Sequence, residues 1–168
     1  TRASSGGAGP GCASCLTSDL MRIYLDMCCF NRPYDDQTQG RIRLETEAKV
    51  LLQQKVKDAQ CDLIWSATLD FECSNNPYEE HRHAIQQWRT LAAKIVVADH
   101  AVVSKALDLA RQGLGNYDAL HIASAKAGKA DLFVTTDDRL IKKIRAVDDL
   151  PVMLPGEALA FLENWYEN

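Results

Sequence analysis

The chain has 168 residues, of which 46% are hydrophobic and 25% are charged. A chain of this length and composition can bury the core of one compact domain, and wholesale disorder is excluded. It contains no run of about 18 apolar residues, so we expect no membrane span. The formal net charge of −4 excludes a protein that coats nucleic acid, so any nucleic acid must be bound at a local site.

The first 20 residues differ in composition from the rest of the chain. They are rich in Gly, Ser and Ala, and their only charged residues are Arg2 and Asp19. They lack the apolar stretch of a secretory signal. Met21 directly precedes a strand-like run. We therefore expect residues 1–20 to be a flexible, non-native leader and residues 21–168 to form the domain.

The six cysteines do not form the pattern of a disulfide-rich scaffold. Cys28 and Cys29 are adjacent, and Cys12 with Cys15 forms a lone CxxC. That CxxC lacks the second Cys pair or His pair that a zinc site needs. We expect free thiols in a reducing cytoplasm.

Strand-like and helical segments alternate along the chain. In order, we predict a strand over 23–25, a loop around Asn31 and Pro33, a helix over 40–58, a strand over 61–65, a helix capped by Ser66, a helix over 78–93, a strand over 94–98, a helix over 100–112, a helix over 117–127 capped by Asn116, a strand over 131–135, a helix over 137–146, a strand over 151–154 and a closing helix over 156–166. This alternation predicts a three-layer, Rossmann-like α/β fold with a central parallel sheet of four to five strands. No GxGxxG or GxxxxGK[ST] motif indicates a nucleotide cofactor.

Four carboxylates are expected at one rim of this sheet. Asp26 and Asp137 follow the first and fourth strands, Glu72 lies on the helix after the second strand, and Asp118 lies in the first turn of a later helix. Open α/β sheets bind ligands outside the carboxyl ends of their strands. Four acids in one pocket repel one another, and a hard divalent cation such as Mg²⁺ or Mn²⁺ would relieve that repulsion.

Three of these acids also have a purely local explanation. Asp26 could open a turn, Asp118 could complement a helix dipole, and Asp137 could cap a helix. Glu72 is harder to explain locally, because a lone carboxylate on an apolar helix face is costly. The convergence of all four favours a shared site.

The motifs that carry these acids resemble the PIN domain. They are MRIYLD at 21–26, the segment from Ser66 to Glu72, NYDALH at 116–121 and TTDDRL at 135–140. The resemblance covers essentially all of residues 21–168. It implies a metal-dependent ribonuclease whose catalytic residues and metal ligands are Asp26, Glu72, Asp118 and Asp137.

Two details of the resemblance concern neighbouring positions. The family spacing Thr-x-Asp selects Asp137 rather than Asp138 as the ligand. The chain departs from the family at Met27, because many members carry a Thr or Ser hydroxyl there, which can help to orient the metal shell.

The resemblance also implies the reaction and its partners. The expected activity is hydrolysis of RNA phosphodiester bonds with Mg²⁺ or Mn²⁺, leaving a 5′-phosphate. Many bacterial members are toxins of VapBC-type (type II) toxin–antitoxin pairs, so we expect an RNA substrate, a cognate antitoxin, a homodimer and a cytoplasmic location.

Basic residues around the rim are candidates for holding RNA. They are Arg32, Arg41, Arg43, Arg139, Lys142, Lys143 and Arg145. We assign His81 to an exposed helix face and His121 to packing or hydrogen bonding rather than to catalysis.

Other protein classes fit the chain less well. A haloacid-dehalogenase-like phosphatase needs Asp-x-Asp, whereas Asp26 is followed by Met27 and Cys28. A receiver domain needs a lysine after the fifth strand, where this chain has Pro155. The remaining alternative is a catalytically weak or silent PIN-like module that binds RNA or protein. The four acids argue against that alternative, and Met27 favours it.

Overall fold

The computed structural model describes residues 20–165, so nearly all of the expected leader lies outside the described residues. The described strands are β1 (Arg22–Leu25), β2 (Asp62–Ser66), β3 (Lys94–Val96), β4 (Leu132–Val134) and β5 (Val152–Met153). The α-helices are α1 (Met27–Asn31), α2 (Gly40–Lys57), α3 (Ala67–Ser74), α4 (Glu79–Gln86), α5 (His100–Arg111), α6 (Asn116–Ala127), α7 (Asp138–Val147) and α8 (Pro155–Leu162). Two 3₁₀ helices span Arg32–Tyr34 and Gln87–Leu91.

The strands form one parallel sheet in the order β3-β2-β1-β4-β5. This arrangement confirms the predicted α/β fold with its central parallel sheet. In the middle of the sheet, Tyr24 lies opposite Ile64 of β2 and Phe133 of β4, and all three are fully buried. The chain adds strands on one side of β1 and then returns to add β4 on the other side. The carboxyl ends of β1 and β4 therefore flank the point where the strand order reverses, which is where open α/β sheets bind ligands.

The structure corrects three local predictions. The region around Asn31 and Pro33 is not a loop but α1 followed by a 3₁₀ helix, because the Asp26 carboxylate accepts a hydrogen bond from the Met27 amide and starts a helix. Asn116 does not cap α6 but is its first residue. The predicted helix over 78–93 tightens into 3₁₀ geometry after Gln86, as helix ends often do.

The helix α6 lies unusually close to the sheet at its C-terminal end. A Cβ atom added at Gly128 would lie 2.6 Å from the Ile64 side chain and 2.9 Å from the Val96 side chain. Glycine is therefore required at this position by packing rather than by backbone conformation. The contact fixes the height of α6, which carries Asp118 and His121, above the sheet.

The described cysteines are all free thiols, namely Cys28, Cys29, Cys61 and Cys73. This confirms the expectation for these four residues, and the CxxC lies outside the described range. Within residues 20–165, no helix combines the length and the hydropathy needed to cross a membrane.

Candidate functional site

Asp26 is positioned where β1 ends, at the reversal point of the sheet. The residue is 7% exposed, and its backbone amide donates to the Val134 carbonyl at 2.9 Å. Its Oδ1 accepts from the Met27 amide at 2.8 Å, and its Oδ2 accepts from the Thr135 hydroxyl at 2.8 Å. Thr135 follows β4, so a hydroxyl from the neighbouring strand orients the carboxylate.

Asp118 is half-buried in the first turn of α6. Burial raises the pKa of its carboxyl group, and the charges of Asp26 and Asp137 raise it further. Glu72 adds a weaker repulsion, and His121 opposes these effects. The Asp118 carboxylate accepts no hydrogen bond from the described part of the chain. The charges of the other three predicted acids thus all act on Asp118, which within residues 20–165 has no hydrogen-bond donor.

Asp137 both caps α7 and belongs to this group of acids. Its Oδ1 accepts from the amides of Arg139 and Leu140 at 2.9 Å and 3.2 Å. The neighbouring Asp138 carboxylate is instead held by the Arg41 guanidinium, at 2.7 Å and 3.1 Å. This ion pair lowers the pKa of Asp138. The geometry therefore separates the two adjacent acids, and only Asp137 is coupled to Asp118.

Glu72 is held by a buried histidine. The His121 Nε2 is hydrogen-bonded to the Glu72 carboxylate and lies 3.9 Å from the Asp26 Oδ1. The other ring nitrogen, Nδ1, is 2.6 Å from the Tyr24 hydroxyl, which in turn is 2.6 Å from the Ser66 Oγ. His121, Tyr24 and Ser66 are at most 1% exposed. We call the series Ser66–Tyr24–His121–Glu72 the buried relay.

One placement of protons satisfies every polar group of the buried relay. Burial raises the pKa of Tyr24 well above its usual value, so the phenol keeps its proton. The phenol donates to the His121 Nδ1, the imidazole Nε2–H donates to Glu72, and the Ser66 hydroxyl donates to Tyr24. Ser66 also accepts from the Leu69 amide at 3.1 Å, which caps α3. The relay therefore ties a β1 residue, a β2 residue and α6 to the Glu72 carboxylate.

A pair of arginines shares one buried glutamate near Asp137. Arg32 and Arg41 each bind a different oxygen of Glu45, at 2.9 Å and 3.1 Å, and Glu45 is 6% exposed. Both arginines line a cavity of about 650 Å³ together with Arg139 and Asp137. Among the predicted RNA-binding cations, these three are therefore placed beside the acids.

The four acids do not enclose a complete metal cage. Within residues 20–165, no group of three or more His, Cys, Asp or Glu side chains is arranged to hold a metal ion by itself. Mg²⁺ commonly keeps several waters and binds through one or two carboxylates plus substrate phosphates. The oxygen-only donor set and the unpartnered Asp118 carboxylate fit such an ion.

The sequence predicted the acids and the hydrogen-bonding role of His121, but not its partners or the other groups that support the acids. The roles of Thr135, His121, Tyr24 and Glu45 depend on contacts between residues that are far apart in the chain. One signal was available, because Thr135 and His121 lie within the motifs that contain Asp137 and Asp118. The prediction for His81 is also wrong, since its ring stacks on Tyr34 and contacts Tyr78 at a tilt instead of lying on a free helix face.

The chain resembles a known protein family and a known structure. No curated protein matches the chain. A solved structure, the crystal structure of VapBC2 from Rickettsia felis bound to a DNA fragment from their promoter, is 16% identical with a TM-score of 0.49, over 79% of this chain and 97% of that one. The family model of the PIN domain matches residues 24–146. The matched range contains all four acids and all five residues of α1, so the chain belongs to the PIN domain family.

Proposed function

We propose that the protein is a metal-dependent endoribonuclease that hydrolyses RNA phosphodiester bonds at Asp26, Glu72, Asp118 and Asp137. Membership of a family whose members are generally nucleases supports this function at the coarse level. The observation that carries it is the Asp118 carboxylate. It is half-buried, accepts no hydrogen bond from the described residues, and is repelled by the charges of the other three acids. A bound cation would offset this repulsion.

Each acid has a distinct part in this proposal. Asp26, Asp118 and Asp137 are the ligands of Mg²⁺ or Mn²⁺, directly or through water, and Glu72 binds the ion or orients water. When bound, the ion would lower the pKa of a coordinated water and stabilise the charge on the phosphate. Thr135 and the buried relay hold two of the carboxylates in fixed rotamers, which lowers the cost of ordering them during the reaction.

Cleavage assays on single-stranded and structured RNA, in Mg²⁺, Mn²⁺ or EDTA, test the proposal. We expect metal-dependent cutting that Asp26→Asn abolishes. Asp149→Asn is the matched control, because the Asp149 side chain is 98% exposed and precedes β5, at the amino ends of the strands rather than the carboxyl ends where the acids lie. Cutting that survives Asp26→Asn, or that both variants reduce equally, would contradict the proposed site.

Calorimetric titration with Mn²⁺ gives a second readout that does not depend on cleavage. Asp118→Asn is expected to weaken Mn²⁺ binding by at least about tenfold, because it removes the ligand that has no other partner. Unchanged Mn²⁺ affinity in Asp118→Asn would show that the ion binds elsewhere.

A catalytically weak or silent RNA- or protein-binding module is the second candidate. It is favoured by the hydrogen bond of Glu72 to His121 and by the three donors on Asp26, which leave only part of the acidic set free. Specific RNA binding without cutting in any of the metals would support it.

The partners and location predicted from the resemblance remain part of the proposal. A cognate antitoxin and a second copy of the chain both require exposed apolar surface, and Leu44, Val50 and Leu51 of α2 are 68%, 50% and 50% exposed. The free thiols suit a reducing cytoplasm. Recovery of no small partner from native cells would count against the antitoxin, and a monomer in sedimentation would count against the dimer.

A further inference from the structure

A cavity of about 370 Å³ opens beside the proposed site, on the side of Glu72. The cavity is lined by three aromatic side chains, Tyr34, Tyr78 and His81, together with Glu72 itself. Tyr34 is 44% exposed and Tyr78 is 64% exposed. Two large rings are thus left in contact with solvent within a concave surface that adjoins the acids.

The three rings support one another. The Tyr34 and His81 rings stack with centroids 3.7 Å apart and an interplanar angle of 14°. The Tyr78 ring lies 4.9 Å from His81 at 42°. Tyr34 belongs to the 3₁₀ helix after α1, whereas His81 belongs to α4. The cluster therefore bridges two elements and presents pre-ordered ring faces, which lowers the entropy cost of stacking a further ring.

Two side-chain amides in the same cavity are available for hydrogen bonding. Asn31 and Asn75 line it, and their amides make no hydrogen bond within residues 20–165. An amide offers both donors and an acceptor, which suits the edge of a nucleobase. Aromatic faces combined with polar groups are the usual means by which proteins bind unstacked RNA bases.

Charge distinguishes this cavity from the arginine-lined one. Its charged lining residues are the acids Asp35 and Glu72, and no lysine or arginine lines it. A phosphate would be repelled here, whereas a neutral base would not. The other cavity is lined by three arginines, which suit phosphate, and by Asp137 and Asp138. Glu72 lines the first cavity and Asp137 lines the second, so each cavity contains one of the predicted acids.

We propose that the cavity formed by Tyr34, Tyr78 and His81 is a subsite for one unstacked nucleobase of single-stranded RNA, adjacent to the bond that is cut. This inference rests on the proposed function for its substrate class. The base stacks on the exposed tyrosine faces and pairs with the amides of Asn31 and Asn75. The backbone then crosses the acids toward the arginine-lined cavity.

Fluorescence anisotropy with labelled RNA decamers, oligo(U) and oligo(A), tests the subsite in Mg²⁺. The measurement uses the Asp26→Asn protein, so that cleavage does not consume the probe. Tyr78→Ala is expected to weaken binding about 5- to 150-fold, the range found for loss of one base–aromatic stack. Tyr78→Phe retains the ring and is expected to bind within about twofold of the parent. Trp165→Ala removes an exposed aromatic outside both cavities and serves as the matched control.

Decamers with one abasic nucleotide, moved stepwise along the strand, locate the base. At one position the abasic change should weaken binding to the parent protein and have no further effect on Tyr78→Ala. Unchanged decamer affinity in Tyr78→Ala, equal losses in Tyr78→Ala and Trp165→Ala, or no binding of either decamer would each overturn the subsite. The subsite would also be overturned if Tyr78→Ala left RNA binding unchanged and weakened only the binding of an arginine-rich peptide, because the cavity would then bind protein rather than RNA.

The two proposals fail separately. If cutting depends on Asp26 and the metal while Tyr78→Ala binds the decamers normally, the nuclease proposal is supported and the subsite is refuted. If no RNA is cut but the abasic scan identifies one position, the subsite is supported and the nuclease proposal is refuted.

Discussion

The buried relay predicts a measurable cost for removing a single oxygen atom. Tyr24→Phe deletes the hydroxyl that bridges His121 and Ser66 at 2.6 Å on each side, while retaining the ring that stacks on Phe133 at 5.2 Å. The Nδ1 of His121 would then be buried without a donor. Ser66 can rotate its hydroxyl, so one polar group is left clearly unpaired. One such group costs about 1–3 kcal/mol, so we expect a loss of about 2 kcal/mol in the free energy of unfolding.

Urea unfolding and thermal melts measure this cost. For a domain of this size, the expected loss lowers Tm by roughly 4–8 °C. Tyr117→Phe is the matched control, because Tyr117 is 47% exposed and its hydroxyl makes no hydrogen bond to the described residues. That variant should remain within about 0.5 kcal/mol of wild type.

A loss below about 0.5 kcal/mol in Tyr24→Phe would refute this reasoning, since it would mean that His121 finds another partner at no cost. The relay also predicts an effect on the site. Without the Tyr24 hydroxyl, the His121 ring is free to rotate away from Glu72, so Mn²⁺ affinity should fall in Tyr24→Phe and not in Tyr117→Phe. Equal Mn²⁺ affinity in both variants would confine the relay to a structural role.

Three further predictions concern charge and packing. The pKa of Asp118 is raised, chiefly by burial and then by the neighbouring acids, so its charged form destabilises the fold at any pH above the pKa of the unfolded chain. In EDTA, Asp118→Asn should therefore be more stable than wild type at pH 7, and this gain should be absent below about pH 4. A variant less stable than wild type at pH 7 would contradict the repulsion. At Asp148, burial opposes the charge, but hydrogen bonding to Lys126 and other donors outweighs burial and lowers the pKa to about 2. Its contribution of about 1–2 kcal/mol should be present at pH 7 and lost as pH falls from about 4 to 2, so Asp148→Asn should flatten the acid-unfolding profile there, and an unchanged profile would exclude the pairing. Gly128→Ala should lower the free energy of unfolding by about 1–3 kcal/mol in chemical denaturation, because the new Cβ would meet side chains of β2 and β3. Gly156→Ala is the control, since a Cβ there has nothing within 4 Å and should cost nothing. Equal effects of the two variants would contradict the close approach of α6 to the sheet.

The fold was largely predictable because its signals are local. A strand such as Leu132–Val134 is apolar on both faces, as a parallel strand covered by helices must be. Ser66 lies three residues before the Leu69 amide that it caps, so its role could be read from the spacing. The short helix α1 was missed because its start depends on the rotamer of Asp26, which Thr135 helps to set from 109 residues away.

The sequence by itself determined the strand–helix alternation and the parallel sheet, and it predicted which four acids form the site. Each depends on periodicity or on a position relative to the end of a strand, and neighbouring residues suffice to specify it. Only the tertiary structure decided which atoms support those acids. Asp26 accepts a hydrogen bond from the Thr135 hydroxyl just after β4, Glu72 is held through α6 and β1, and Asp138 is ion-paired with Arg41. These contacts join residues far apart in the chain, and only the packing of α6 and β4 against β1 brings them within hydrogen-bonding distance.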